Sequence, residues 1–390
     1  MNRNLLTRPA LARVLQSLLT AELDRARRPA PGAWPEDMQL GDDGAGSLGC
    51  DSLALLNLAS AANEMFHLYA ANLDAEMLRA RTFGEWLNII ESAWRAGVAH
   101  LTFRTSGSTG TPKRCTHAFE ALQTEVHFLA GMLAAKKRVL ALVPAHHIYG
   151  FLFTGMLPDR LGAEVVTSGI ADGTALRVLQ NDLLISIPER WAFLSRTVTV
   201  WPAQVDGVVS TSPCPRELIR DLIDNGLRSM TEIYGSTETA GIGTRRWPEE
   251  RYQLMPHWVP GEDADPERTT LVHLSGTRVQ PMDRLRFDSD GCFTIAGRLD
   301  GAVQVGGINV FPSRIAALLA ARPGIANAAV DLFQPNGRLR AFIVLKSGVT
   351  SELVRPELET WMQQHLVAVD RPQTLEFVTA LPKSASQELV

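Results

Sequence analysis

The sequence has little cysteine, and its four cysteines, Cys50, Cys115, Cys214 and Cys292, lie far apart. No two sit at metal-ligand spacing, and no disulfide framework can be read from them. None of the nine histidines belongs to a His-Glu-x-x-His arrangement, which removes one common helical zinc site. The chain lacks an apolar run of about 18 residues. Its start, Met-Asn-Arg-Asn-Leu-Leu-Thr-Arg-Pro, lacks the apolar core of a secretion signal. A basic surplus is missing too: the net charge is −4, so nucleic-acid binding has no electrostatic support. These absences point to a cytoplasmic protein that has neither membrane nor nucleic acid as partner. What is present is ordinary for globular chains: 390 residues, 45% hydrophobic and 21% charged, enough for two or three domains.

One stretch departs from this ordinary composition. Residues 105–113 read Thr105-Ser106-Gly107-Ser108-Thr109-Gly110-Thr111-Pro112-Lys113. The glycines allow positive φ and close approach to the main chain. Successive N–H groups in such a turn, with hydroxyls beside them, make an anion-binding concavity, and Lys113 adds a mobile positive charge. It is not a Walker loop, which would need glycine at Pro112 and a hydroxyl at Arg114. The stretch reads as a phosphate cradle, although a polar surface turn shares its composition.

Periodicity divides the chain in three. Over residues 1–97, Leu11, Val14, Leu15, Leu18 and Leu19 recur at helical spacing. A loop rich in Pro, Gly and Asp follows, to Gly49. Asp51 or Ser52 then caps a helix carrying Leu53, Leu56, Leu58 and Phe66. A further turn holds Leu73 and Met77, and a last helix begins after Thr82. This predicts a compact helical bundle. Over residues 98–296, strands at 100–103, 139–143, 163–166, 183–187, 205–211 and 231–234 alternate with helices. That pattern predicts an α/β body with a mainly parallel sheet and functional loops at the strand ends. Residues 297–390 read as a small α+β unit, with helices at 312–321 and 352–365.

Two resemblances add to this reading. Leu48-Gly49-Cys50-Asp51-Ser52-Leu53 resembles the Leu-Gly-x-Asp-Ser-Leu signature of acyl and peptidyl carrier proteins. The resemblance implies a carrier-like bundle over 1–97 with Ser52 as the candidate for phosphopantetheine attachment, at a helix start that suits a phosphate. Asp51 and Ser52 also suit a plain helix cap. With nine arginines, no lysine and twelve acidic residues, this segment is only mildly acidic, whereas carrier domains are usually clearly so.

The second resemblance covers residues 102–312. The 105–113 loop, His146-His147-Ile148-Tyr149-Gly150, Tyr234-Gly235-Ser236-Thr237-Glu238, Asp283, Gly297-Arg298-Leu299-Asp300 and Gly306-Gly307 occur in the order seen in adenylate-forming ligases. That superfamily includes acyl- and aryl-CoA synthetases, the adenylation domains of peptide synthetases, and luciferases. It implies ATP and Mg²⁺ as cofactors and a small carboxylic acid as substrate. Thr105, residues 106–110 and Lys113 would hold the β- and γ-phosphates, Thr237 the α-phosphate and Glu238 the metal. Asp283 and Arg298 would bind the ribose. His147, with His146 beside it, would border the acid pocket, and Tyr234 and Gly235 would lie by the adenine and the pocket floor. Asp300 would be the hinge of a mobile C-terminal domain. Taken singly, Glu238 also fits a surface position and Asp283 a turn cap.

The chain departs from the superfamily at two places. Leu381-Pro382-Lys383-Ser384-Ala385-Ser386 matches, but Gln387-Glu388 stands where Gly-Lys is usual, and a glutamate repels phosphates. The α/β body is also abbreviated. The function expected is ATP-dependent adenylation of a small acid, aromatic and of hydroxybenzoate type. Transfer to the phosphopantetheine thiol of a fused or separate acyl carrier protein follows. The arrangement is similar to the short aryl-acid ligases of aryl polyene pigment pathways. The alternatives are a ligase using free CoA and a non-catalytic relative that binds nucleotide or carrier protein.

Overall fold

The computed structural model describes residues 5–23, 32–41, 47–105, 113–133, 135–167, 177–262, 269–306, 308–333 and 337–382. Four helices come first: α1 (Arg8–Glu22), α2 (Ser52–Phe66), α3 (Asp74–Arg79) and α4 (Phe83–Arg95). Their starts are set by local chemistry. Thr7 caps α1, with Pro9 in the first turn, and Asp51 accepts from Ala54 N (2.8 Å) to cap α2. Thr82 and Glu85 form a reciprocal capping box at α4. Asp51 is therefore the cap, and Ser52 is the first helical residue.

The strands β1 (His100–Arg104) and β2 (Arg114–Ala118) form an antiparallel hairpin around the glycine-rich loop. Next come α5 (Phe119–Met132), β3 (Arg138–Ala141) and α6 (Ile148–Gly150), which runs through a π-helical turn at Phe151–Met156 into α7 (Leu157–Leu161). They are followed by β4 (Glu164–Thr167), β5 (Leu183–Ser186), α8 (Pro188–Thr197), β6 (Asp206–Val209), α9 (Arg216–Asp224), β7 (Ser229–Ser236), β8 (Ala240–Arg246) and β9 (Tyr252–Leu254). A three-stranded flap holds β10 (Trp258–Pro260), β11 (Leu271–His273) and β12 (Arg278–Val279), before β13 (Asp283–Phe287) and β14 (Cys292–Arg298). The C-terminal unit comprises β15 (Val303–Val305), β16 (Ile308–Val310), α10 (Pro312–Ala320), β17 (Ile325–Phe333), β18 (Arg338–Leu345), α11 (Ser351–His365) and β19 (Thr374–Phe377).

The central sheet has nine strands in the order β13-β14-β9-β8-β7-β6-β5-β3-β4. The expectation of a mainly parallel sheet is corrected: β4, β3, β5, β6 and β7 are parallel, but β8, β9, β14 and β13 add on antiparallel. The reason is the connection. Only residues 237–239 separate β7 from β8, which suits a hairpin and not a crossover. The strand expected at 100–103 forms, but it pairs with β2 outside this sheet.

Alternate residues of the parallel strands enter two different cores. Val139, Leu183, Ile185 and Val208 face one, while Leu140, Leu184, Val209 and Met230 face α8 and α9 on the other side. Strands buried on both faces read as continuous apolar runs. The bundle over 1–97 does not close a separate core. Its inner residues, from Leu11 and Val14 to Phe83 and Trp94, share one continuous core with Phe103, Leu122, Phe151, Tyr234 and Phe293. A carrier domain closes its own core, whereas this bundle covers a face of the body. The C-terminal unit does close its own, around Val305, Ile315, Leu319, Ile343 and Leu358. Among the described residues no helix is long and apolar enough to cross a membrane.

Candidate active site

Residues 106–110 lie outside the described residues, but the base of their loop is well defined. Thr105 N donates to Lys113 O (2.9 Å), and Lys113 N donates to Thr105 Oγ1 (3.0 Å). The arginines on either side, Arg104 and Arg114, both reach Glu64 of α2, at 2.5 and 2.7 Å. Burial works to raise the Glu64 pKa, and the two arginines outweigh it. The loop's two stems are thus clamped by one carboxylate from the N-terminal bundle. No motif in the sequence announced that role.

The hairpin is also pinned to the Tyr234–Glu238 segment. His117 Nε2 lies 2.7 Å from Thr237 O, and burial holds the His117 pKa low. Burial, then Glu238, push the Cys115 thiol of the same hairpin up to about 11, against Lys113. His117 therefore links the hairpin of one candidate, Lys113, to the turn of another, Glu238. Both are exposed. The turn at 237–239 is closed by Thr239, whose Oγ1 accepts from Ser236 N (3.0 Å). Gly235 is required there, since a Cβ would meet Ala240 O at 2.0 Å.

A second cluster holds the residues expected at the nucleoside. Tyr234 donates its hydroxyl proton to Asp283 Oδ2 (2.8 Å). Arg298, paired with Asp283 across the β13–β14 ladder, lies 3.6 Å from Asp283 Oδ1 and grips Asp300 at 2.7 and 2.8 Å. Burial raises the Asp283 pKa. At Asp300 burial pushes the same way, but the bonds from Arg298 and Ala302 N prevail and hold it low. The hinge candidate is thus tied to the ribose candidate.

The two histidines separate in role. His147 is exposed, and its surroundings still lower its pKa by desolvation. His146 Nδ1 shares a 2.8 Å hydrogen bond with Ser17 Oγ of α1, which also accepts from Ala145 N (3.0 Å). Burial, then the neighbouring His147, push His146 down to about 3. Gly150 closes this segment, because a Cβ there would sit 1.9 Å from Pro144 O. Ser52 is exposed, remote in sequence from these groups. Residues 383–390, including Lys383, Gln387 and Glu388, lie outside the described residues.

The described residues contain no group of three or more metal-ligating side chains. A single exposed carboxylate, Glu238, suits Mg²⁺ that arrives on the nucleotide, since this ion binds through one or two carboxylates plus substrate phosphates.

Residues 98–262 match the AMP-binding enzyme family, and residues 314–388 match the AMP-binding enzyme C-terminal domain. The chain is 36% identical to a 4-coumarate–CoA ligase of Halorhodospira halophila over 386 residues, 97% of each chain. The chain belongs to the AMP-binding enzyme family. It is also 35% identical to a 4-coumarate–CoA ligase of Cereibacter sphaeroides, over 91% of this chain and 85% of that one. The fold is shared with o-succinylbenzoate CoA synthetase from Bacillus subtilis, at 16% identity and a TM-score of 0.57, over 98% of this chain and 90% of that one. As a member of this family the protein is an AMP-forming acid–thiol ligase. The N-terminal helices fall within what it shares with the Halorhodospira relative, so the abbreviated build is common to both.

Proposed function

We propose that the protein activates a small aryl acid with ATP and transfers the aryl group to the thiol of CoA. The bond from His117 of the Lys113 hairpin to Thr237, with Asp283 bonded to the neighbouring Tyr234 and Arg298 to Asp283, carries this reading. The similar 4-coumarate–CoA ligases support the aryl acid and the acceptor. In the first step a carboxylate oxygen attacks the α-phosphorus and pyrophosphate leaves. Two anions must approach, so Lys113, Thr105 and the loop amides neutralise the β- and γ-phosphates while Thr237 holds the α-phosphate. Glu238 would hold Mg²⁺, which would supply charge neutralisation at the phosphates. Asp283 and Arg298 fix the ribose, Tyr234 and Gly235 flank the adenine, and His147 borders the incoming carboxylate. In the second step the thiolate attacks the acyl carbon and AMP leaves. Residues 297–390 turn about Asp300 between the two steps.

A second reading keeps a carrier thiol as acceptor. Ser52 is exposed at the first turn of α2, beside Leu53 and Leu56, which are 68% and 48% exposed. Mass analysis of the products separates the readings. The first predicts an aryl-CoA with 4-coumarate or a hydroxybenzoate, ATP and free CoA. An aryl group found only on a phosphopantetheinylated protein, and lost in Ser52→Ala, would favour the second.

A further inference from the structure

Glu125 of α5 is 2% exposed, yet it has no ion-pair partner among the described residues. Its Oε2 accepts from Gly241 N (3.0 Å). Its Oε1 has no hydrogen-bond partner. A buried polar atom left unpaired is costly and rare, and in a native structure it calls for a reason. The place of this one supplies the reason. Gly241 is the Cα partner of Gly235 across the β7–β8 ladder, a spacing of about 5 Å. Gly235 is the residue that the reading above sets between the adenine and the floor of the acid pocket. A Cβ at residue 241 would lie 2.3 Å from Oε1, so glycine there leaves the carboxyl its space. Trp258 Nε1 donates to Gly241 O (2.8 Å) and Met255 closes the apolar side. In the reading above, an aryl acid whose carboxylate meets the α-phosphate at Thr237 carries its ring on the side away from the phosphates.

We infer that Glu125 is a specificity-determining residue whose free Oε1 pairs with a phenolic hydroxyl on the aryl acid, selecting hydroxylated acids over their unsubstituted counterparts. The inference rests on the aryl-acid reading above. Burial supports it further: the carboxyl is pushed up to about 7, so near neutrality both its protonated and its ionised form are present, able to donate to a phenol oxygen or to accept from its proton. A site that hydrogen-bonds a substrate hydroxyl rejects the analogue lacking it, because its own polar group is then left unpaired.

The test measures kcat/KM for 4-coumarate against cinnamate, and for 4-hydroxybenzoate against benzoate, by pyrophosphate release. The wild type, Glu125→Leu and Glu125→Gln are compared. The wild type is expected to prefer the hydroxylated acid by at least tenfold, chiefly through KM, and Glu125→Leu to lose most of that ratio. Glu125→Gln keeps the shape and the acceptor for Gly241 N, so it guards against a variant that fails to fold, and its ratio shifts by at least threefold. An unchanged ratio in a folded variant, or an equal loss for both acids, overturns the inference and leaves Glu125 as a support for β8. A wild type that turns over aryl acids without preference overturns it too while leaving the ligase reading intact. Inactivity with every aryl acid overturns both.

Discussion

At the scale of single residues, the chemistry-bearing motifs were legible and their supports were not. Lys113, Thr237, Glu238, Asp283 and Arg298 announce themselves by type and order. Ser17, Glu64, His117 and Glu125 do not, because each acts on a distant partner: Ser17 reaches His146 across 129 positions, His117 reaches Thr237 across 120, and Glu125 reaches Gly241 across 116. Local propensity and spacing carry no signal for such pairs. Lys113→Ala should lower kcat/KM for ATP by roughly a hundredfold, the usual cost of removing a group that stabilises developing charge, as read by initial rates at varied ATP. Glu125 gives a pH prediction. Burial raises its pKa from 4.5 to about 7, so the folded protein keeps a proton that the unfolded chain releases. Stability is lost as pH rises through that window, at up to about 1.4 kcal/mol per pH unit. His257 is 2% exposed and is pushed from 6.5 down to about 4 by burial and then by His273. Its contribution runs the other way and is lost as pH falls. Glu125→Gln removes the first slope only. Its melting temperature should therefore rise relative to the wild type between pH 5 and pH 8, and a gap that stays constant would contradict this.

At the scale of elements, the sequence displayed β3 and β5 most plainly, because burial on both faces makes their inner stretches, Val139–Ala141 and Leu183–Ile185, apolar runs. It did not display β8, β9, β13 and β14. β9, β13 and β14 have exposed and mixed faces, as in Cys292–Arg298, and β8, though buried over Ala240–Thr244, is interrupted there by Gly241 and Gly243 and lacks an apolar run. The β1–β2 hairpin was half visible, with its pairing hidden by the loop between. Glu64 holds both stems of that loop. Glu64→Gln removes the charge that binds two arginines, so it should raise KM for ATP several-fold while leaving the overall fold intact. Steady-state kinetics and circular dichroism together check this. Gly150→Ala forces a Cβ to within 1.9 Å of Pro144 O. It should cost about 3 kcal/mol or more, at or beyond the upper end of the usual range for point substitutions, measurable by urea unfolding.

At the scale of the whole molecule, two cores meet the sheet and a third lies apart beyond Asp300. The N-terminal helices, legible as helices and as a resemblance, could not be assigned to the body from sequence. An amphipathic face shows that it is buried but not against what. The join at 298–300 is short, and Arg298 ties Asp300 to the nucleoside cluster. Asp300→Pro, which fixes φ at the hinge candidate, should slow thioester formation at least tenfold more than adenylation. Equal effects on the two half-reactions would argue against a hinge there. The central claim is that this architecture adenylates an aryl acid, even with Glu388 where a lysine is usual. Acid-dependent exchange of labelled pyrophosphate into ATP measures that step alone, without any thiol. Purified protein with Mg²⁺, ATP and 4-coumarate or a hydroxybenzoate should catalyse exchange, and should lose it in Lys113→Ala. Tight ATP binding with no exchange for any aryl acid would contradict the account and leave a nucleotide-binding protein without ligase activity.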